Sequence, residues 1–255
     1  MKLCLDAGHG RNQNRSPAVP EYYEGNRMFV LQEYLKTALE HYGAEVVCTR
    51  ETMEDDPSLY TRGTMAKGCD LFLSLHSNAV GGNGCNDNVD YVRVFHPVSG
   101  RGKALAELLA EVITAVIGTK QQPKIGVRWN STNNADYYGV LRYSAGVNTT
   151  GLLLEHSFHT NPATARWLME DENLRRLADA EAACIAEYYG WEALEMRYEL
   201  LKDVKNPFYR PTLDKLTEKG ILNGRSGTGE ETVIDLGEDA IRVLVLLDRA
   251  GLFGE

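Results

Sequence analysis

Four residues carry side chains suited to chemistry at a common centre: His9, Glu24, His76 and Glu155. Two imidazoles and one carboxylate form a standard three-donor set for a catalytic zinc ion that keeps a fourth position open for water. Zinc lowers the pKa of bound water from 15.7 to about 7 and polarises an amide carbonyl. A free carboxylate nearby can move the proton of that water to a leaving nitrogen, and Glu155 suits this task. No HExxH or CxxC joins the four, so only the fold can assemble them. Taken singly, each has a plainer reading: a hydrogen-bonded loop histidine, or an acidic residue favoured by the dipole in a helix's first turn.

The hydrophobic pattern supplies the elements that must position them. Lys2 to Leu5 reads as a buried strand that ends in the turn cluster Asp6-Ala7-Gly8-His9-Gly10. Gly8 and Gly10 are expected to keep this loop slim enough for a bulky substrate to reach the ion. From Glu24, the residues Met28, Leu31, Leu35, Ala38 and Leu39 recur at helical steps until Gly43, which places Glu24 in the first turn. Ala44 to Arg50 is a second strand and Ser58 to Lys67 a short helix. Asp70 to Asn78 is a nearly continuous apolar run, as in a parallel strand buried on both faces, and it too delivers a histidine, His76.

Further along, Val89 to Phe95 predicts a fourth strand, and Leu105, Leu108, Leu109, Val112, Ile113, Val116 and Ile117 predict a helix. Thr119 to Tyr138 is too long for a simple connector and is expected to form a wall of a substrate site. Val140 to Arg142 reads as a short strand, and Gly151 to Glu155 as an apolar strand ending in a carboxylate. Helices follow from Asn161-Pro162 and from about Glu172 to Tyr189. In a parallel sheet with right-handed crossovers, strand ends and the helix starts that follow them share one edge, so all four residues can face one cleft.

The fold class expected is therefore α/β, a parallel-rich twisted sheet flanked by helices, with a small helical C-terminal domain. Residues 1–192 form the first domain, and residues 195–255 the second, where the composition changes after Trp191. Its helices are expected at Pro211 to Lys219 and Glu238 to Ala250, around a Gly-rich loop from Gly220 to Gly229, with Met196 to Asp203 extending or linking helices.

Composition bounds the function. A chain of 255 residues with net charge −9 is not a general nucleic-acid binder, and no stretch is apolar for long enough to insert in a membrane. Asp6, His9 and the polar run Arg11 to Ser16 stand where a signal peptide would be apolar, so synthesis in the cytoplasm without a leader is expected. Cys4, Cys48, Cys69, Cys85 and Cys184 form no CxxC pair and read as reduced packing residues. Of the other histidines, His41 is expected to offset a helix dipole and His96, before Pro97, to be exposed, while His156 and His159 flank Glu155 as supporting or substrate contacts.

These residues resemble a known family, the zinc-dependent N-acetylmuramoyl-L-alanine amidases of the amidase type 3 family. The matching pieces are LCLDAGHG at 3–10, EGNRMFVLQEYLKTAL at 24–39, VVCTR at 46–50, DLFLSLHSNA at 70–79 and GLLLEHSFHTNP at 151–162. The resemblance implies that His9, Glu24 and His76 hold Zn2+ and that Glu155 is the general base and acid. It implies hydrolysis of the amide between the lactyl group of N-acetylmuramic acid and L-alanine in peptidoglycan. The family often has Glu-x-Gly-Phe where this chain reads Glu155-His156-Ser157-Phe158, so the local turn is expected to differ. The helical insertion that blocks the cleft of some relatives is not evident at Gly81 to Asn88 or Thr119 to Tyr138, which implies an open site.

The C-terminal stretch resembles the tails of lytic enzymes from phages of Gram-positive bacteria, which implies wall binding or, alternatively, dimerisation. With no leader evident, the expectation is a phage or prophage endolysin that acts at the wall after release; a bacterial autolysin would look the same. Asn78, Arg128, Trp129 and Arg142 are candidate substrate contacts, since Arg pairs well with stem-peptide carboxylates. The alternatives are a zinc peptidase cutting within the stem peptide and an inactive wall-binding module.

Overall fold

The computed structural model describes residues 1–81, 84–192, 197–206 and 208–254. Gly82 and Asn83 of the Gly81 to Asn88 loop, Met196 and Pro207 lie outside these residues. Two compact units are present, Met1–Ala193 and Leu194–Glu255.

In the first unit the order is β1 (Lys2–Ala7), α1 (Glu24–His41), β2 (Glu45–Cys48), α2 (Leu59–Met65), β3 (Leu71–Asn78), β4 (Arg93–Phe95) and α3 (Lys103–Ile117). There follow β5 (Lys124–Gly126), α4 (Gly139–Gly146), β6 (Thr150–Phe158), α5 (Pro162–Met169) and α6 (Asp171–Tyr189). The six strands form one sheet in the order β2-β1-β3-β6-β4-β5. Its ladders are parallel except between β4 and β6.

Alternation along the strands sorts side chains onto two faces. Leu3, Leu5, Leu71, Leu73, Leu75, Leu152, Leu154 and Val94 are buried with Leu31 and Leu35 of α1, Leu105 and Leu109 of α3, and Leu177 and Ile185 of α6. On the other face Cys4, Phe72, Leu153 and Phe95 pack with Val140 and Leu141 of α4. The two short helices α2 and α4 pack together. Apolar residues on both faces explain why β1, β3 and β6 read as continuous apolar runs. Four cysteines are buried in these layers, whereas Cys85 is exposed; none is bonded to another.

Local expectations differ from the structure at several points: His96, expected to be exposed, is buried, and the strand expected over Val89 to Phe95 forms only as β4. Val140 to Arg142 lies within α4 rather than in a strand, and β5 falls inside the stretch expected to be loop. Leu154 to Phe158 continues the strand past Glu155, so β6 carries that carboxylate within its length. His156 and Ser157 remain in the strand because Ser157 takes a left-handed φ of 59°, at the register shift opposite His76 and Asn78. Ser157 thus holds a backbone conformation that favours glycine. The Ser157 hydroxyl donates to Asp90 Oδ1 at 2.7 Å, which offsets part of the backbone cost.

The second unit has β7 (Arg197–Leu200), α7 (Arg210–Glu218), β8 (Val233–Gly237) and α8 (Glu238–Arg249). The two helices stand where the sequence placed them, but residues expected to link helices form β7, which pairs antiparallel with β8. Leu201, Val204, Leu213, Ile234, Ile241 and Val245 form its small core. Among the described residues no helix is long and apolar enough to cross a membrane.

The Ser157 conformation sets a test. Ser157→Gly relieves the φ cost while losing one hydrogen bond, so its unfolding free energy should stay within about 1 kcal/mol of the parent. A β-branched Ser157→Val adds strain and empties the Asp90 contact, and urea unfolding should show a loss of about 2–3 kcal/mol.

Candidate metal centre

His9, Glu24 and His76 come together at the carboxyl edge of the sheet, each offering one donor atom within 4.8 Å of the others. Glu24 Oε1 lies 2.8 Å from His76 Nδ1 and 3.4 Å from His9 Nε2. Two donors bound tetrahedrally to one zinc ion stand about 3.4 Å apart; the Glu24–His9 separation matches this, while the shorter Glu24–His76 contact is a direct hydrogen bond that an ion between them would open. The donor chemistry fits too, because neutral imidazoles and a carboxylate are the set zinc takes in catalytic sites.

Each donor is held by a second layer of contacts. His9 sits on the turn after β1 with a left-handed φ of 61°. Arg62 of α2 fixes that turn: Nη2 donates to the His9 carbonyl at 2.9 Å and Nη1 to the Ala7 carbonyl at 2.7 Å. Its remaining N–H groups reach Asp6 Oδ1, Asp56 Oδ1 and the Pro57 carbonyl, so all are used. Asp6 also accepts from Thr49 Oγ1 and Ser74 Oγ, both at 2.6 Å. Glu24, in the first turn of α1, is almost wholly buried. Its Oε1 accepts from Ser77 N at 3.0 Å, and its Oε2 accepts from the Asn14 amide.

Packing within the protein already demands glycine at positions 8 and 10. A Cβ at Gly8 would fall 2.2 Å from His76 Cε1, and one at Gly10 would fall 2.7 Å from Asp56 Cγ. The His76 imidazole and the Asp56 carboxylate by themselves require these side chains to be absent. His159 is also placed behind the donors. Its Nδ1 lies 2.9 Å from both the carbonyl and the hydroxyl of Ser77 and 3.6 Å from Glu24 Oε2, and its ring stacks on Tyr22. His156 points to the opposite face, where Nδ1 donates to the His76 carbonyl and Nε2 meets Glu181 Oε1, both at 2.8 Å.

Charge follows from these contacts. Burial alone would raise the Glu24 pKa, but hydrogen bonds and charge from His76 and His9 outweigh it and hold the carboxyl well below its usual range. Burial pulls His76 down, and the Glu24 carboxylate beside it more than offsets this, pushing it up to about 9. Glu155 is the register partner of His76 across β3 and β6, so the two side chains share a face. Burial first, and the Glu24 charge second among the raising effects, push Glu155 up to about 7 although His76 opposes them. A carboxyl that exchanges its proton near neutral pH is what general acid–base work requires.

Of the candidate substrate contacts, Asn78 and Arg128 line an open groove of about 690 Å³ beyond Glu155. Trp129 and Arg142 do not line it. Trp129 bridges to Asp136, and Arg142 Nη1 donates to the Asp136 and Tyr137 carbonyls, so Arg142 orders its own loop. Sequence reasoning did not find Arg62, Asp6 or Asn14 in the site, since a lone charged or amide residue near a strand end carries no distinctive spacing.

Residues 3–187 match the family described as N-acetylmuramoyl-L-alanine amidase. The chain belongs to that family. As a peptidoglycan amidase it hydrolyses the amide that gives the family its name. The fold is also that of solved amidases. The catalytic domain of CwlV from Bacillus (Paenibacillus) polymyxa superposes with a TM-score of 0.62 at 19% identity, covering 75% of this chain and 99% of that one. An amidase from Clostridium difficile 630 gives 0.62 at 20% identity over 74% of this chain and 96% of its own. AmiC2 of Nostoc punctiforme gives 0.62 at 22% identity over 74% and 97%. No curated protein sequence matches the chain.

Two measurements test this cluster. Gly8→Ala should displace the His76 ring and weaken zinc binding at least about tenfold by calorimetry, as loss of a supporting contact does. The second concerns Glu155 in metal-free protein. Its folded pKa, about 7, is raised above the ordinary value of 4.5, so stability is full at acid pH and falls as pH rises from 4.5 through 7. Glu155→Gln cannot ionise and should raise the Tm of the chelated protein at pH 8 while leaving it unchanged at pH 4.

Proposed function

We propose that the chain is a zinc-dependent amidase that cuts between N-acetylmuramic acid and L-alanine, with His9, Glu24 and His76 as the ligands and Glu155 as the acid–base residue. The observation that carries this reading is the register pairing of Glu155 with His76 beside a three-donor cluster. When bound, zinc would supply Lewis acidity, lowering the pKa of water and polarising the amide carbonyl. Glu155 accepts a proton from the attacking water as the new C–O bond forms. It then returns that proton to the nitrogen as the C–N bond breaks, so L-alanine leaves as a free amine. Arg62 and Gly8 keep the His9 and His76 donors in place during this exchange.

The first unit carries the catalysis, and the second holds the enzyme on the wall or pairs it with a second copy. Val243 and Leu246 on α8, 53% and 65% exposed, supply apolar surface for either role. The expected setting is endolysin-like lysis of a Gram-positive wall, which the likeness of the C-terminal stretch to phage lytic tails supports.

Turbidity loss of purified walls tests the mechanism. Wild type should clear them and chelated protein should not. Glu155→Ala should retain zinc yet lose activity by about 10²–10⁴-fold, whereas His9→Ala should lose the metal. The products should be free L-alanine amino termini with intact muramic acid. Full lysis by Glu155→Ala would sink the assignment of Glu155.

A further inference from the structure

The row that joins His76 to Glu155 continues across the sheet. Glu155 is the register partner of Arg93 on β4, and Arg93 is the partner of Lys124 on β5. Register partners on neighbouring strands point to the same face, so two cations extend the line that starts at a metal ligand and passes through the acid–base carboxylate. Arg128, just past β5, joins both on the wall of the 690 Å³ groove.

The groove is cationic in a chain of net charge −9. Among the described residues no carboxylate lines it, and none of its three cations has an ion-pair partner. Aromatic faces hold them instead: Arg93 lies 4.5 Å from the Phe95 ring centre, Lys124 3.8 Å from that of Tyr91 and Arg128 3.6 Å from that of Tyr137. Arg93 Nε is buried without a hydrogen-bond partner. Like charges gathered without a counter-ion repel one another, and a buried unpaired donor costs free energy, so this arrangement is suited to receiving an anion.

We propose that Arg93, Lys124 and Arg128 bind the free α-carboxylate of the second stem residue, so that this amidase prefers stems with an acidic second residue to amidated ones. The proposal rests on the amidase reading. In the substrate the leaving L-alanine is followed by a γ-linked D-glutamate, whose α-carboxylate is the first anion beyond the scissile amide. A guanidinium donates two parallel hydrogen bonds to a carboxylate. Amidation replaces one acceptor oxygen with an NH2 group, which confronts the donors of Arg93 and Arg128 with another donor and removes the charge.

The test uses the zinc-loaded full chain and two synthetic substrates, N-acetylmuramoyl-L-Ala-D-Glu and N-acetylmuramoyl-L-Ala-D-isoGln. The acidic substrate should have a kcat/KM at least about 10-fold higher, as expected for one charge-assisted hydrogen bond. Lys124→Gln and Arg128→Gln should each lower kcat/KM on the acidic substrate towards the amidated value, and added salt should narrow the gap. Equal kcat/KM for the two substrates in wild type overturns the proposal, as does a preference unchanged in both variants. Cleavage of neither substrate counts against the amidase reading. Calorimetric titration with L-Ala-D-Glu and L-Ala-D-isoGln then decides the groove alone, and equal affinity for the two dipeptides overturns it.

Discussion

A carboxylate cut off from water must find its hydrogen bonds inside the protein, and Asp6 finds them on three other parts of the fold. Thr49 follows β2, Ser74 belongs to β3 and Arg62 to α2, and all three donate to it. Removing one partner from a buried ion pair costs about 3–5 kcal/mol, because the other charge is left without compensation. This penalty keeps α2 in place over the end of β1. Since the same guanidinium also holds the Ala7 and His9 carbonyls, the left-handed turn that aims His9 is a consequence of the Asp6 ion pair.

Glu24 shows the same logic with a different outcome. It is as deeply buried as Asp6, yet its carboxylate has no arginine. Its neighbours are imidazoles, a backbone N–H and an amide. A cation placed among His9, Glu24 and His76 would supply the positive charge that Asp6 receives from Arg62. The imidazoles are braced from behind: His159 stands next to Glu24, and His156 with Glu181 of α6 grips the backbone of His76.

Much of this was legible in the sequence. Long apolar strands bounded by turn residues identified β1, β3 and β6, and the residue types at their ends pointed to a metal centre. What escaped notice has physical reasons. The edge strand β5 is three residues long and has one partner, so Lys124 to Gly126 carries no periodicity to read. The eight-residue α4 shows too little of a helical repeat, and its apolar Val140 and Leu141 serve a strand equally well. The strands β7 and β8 are edges of a two-stranded sheet in a small unit. Arg62 looks like a surface charge within LYTRGTM, because its burial depends on Asp6, distant in sequence. Ser157 hides a left-handed conformation whose cost is partly offset by a hydrogen bond to Asp90, distant in sequence.

The antiparallel β4 inserted between β6 and β5 has a metric consequence. Neighbouring strands lie about 4.8 Å apart, so Arg93, the first cation of the row, stands two steps or about 10 Å from His76, the reach of between two and three extended residues. A peptide whose first bond is cut at the metal edge and whose length follows this row would lie across the strands, at right angles to them. The sheet then works as a ruler, in which each strand marks off a little more than one residue of the stem.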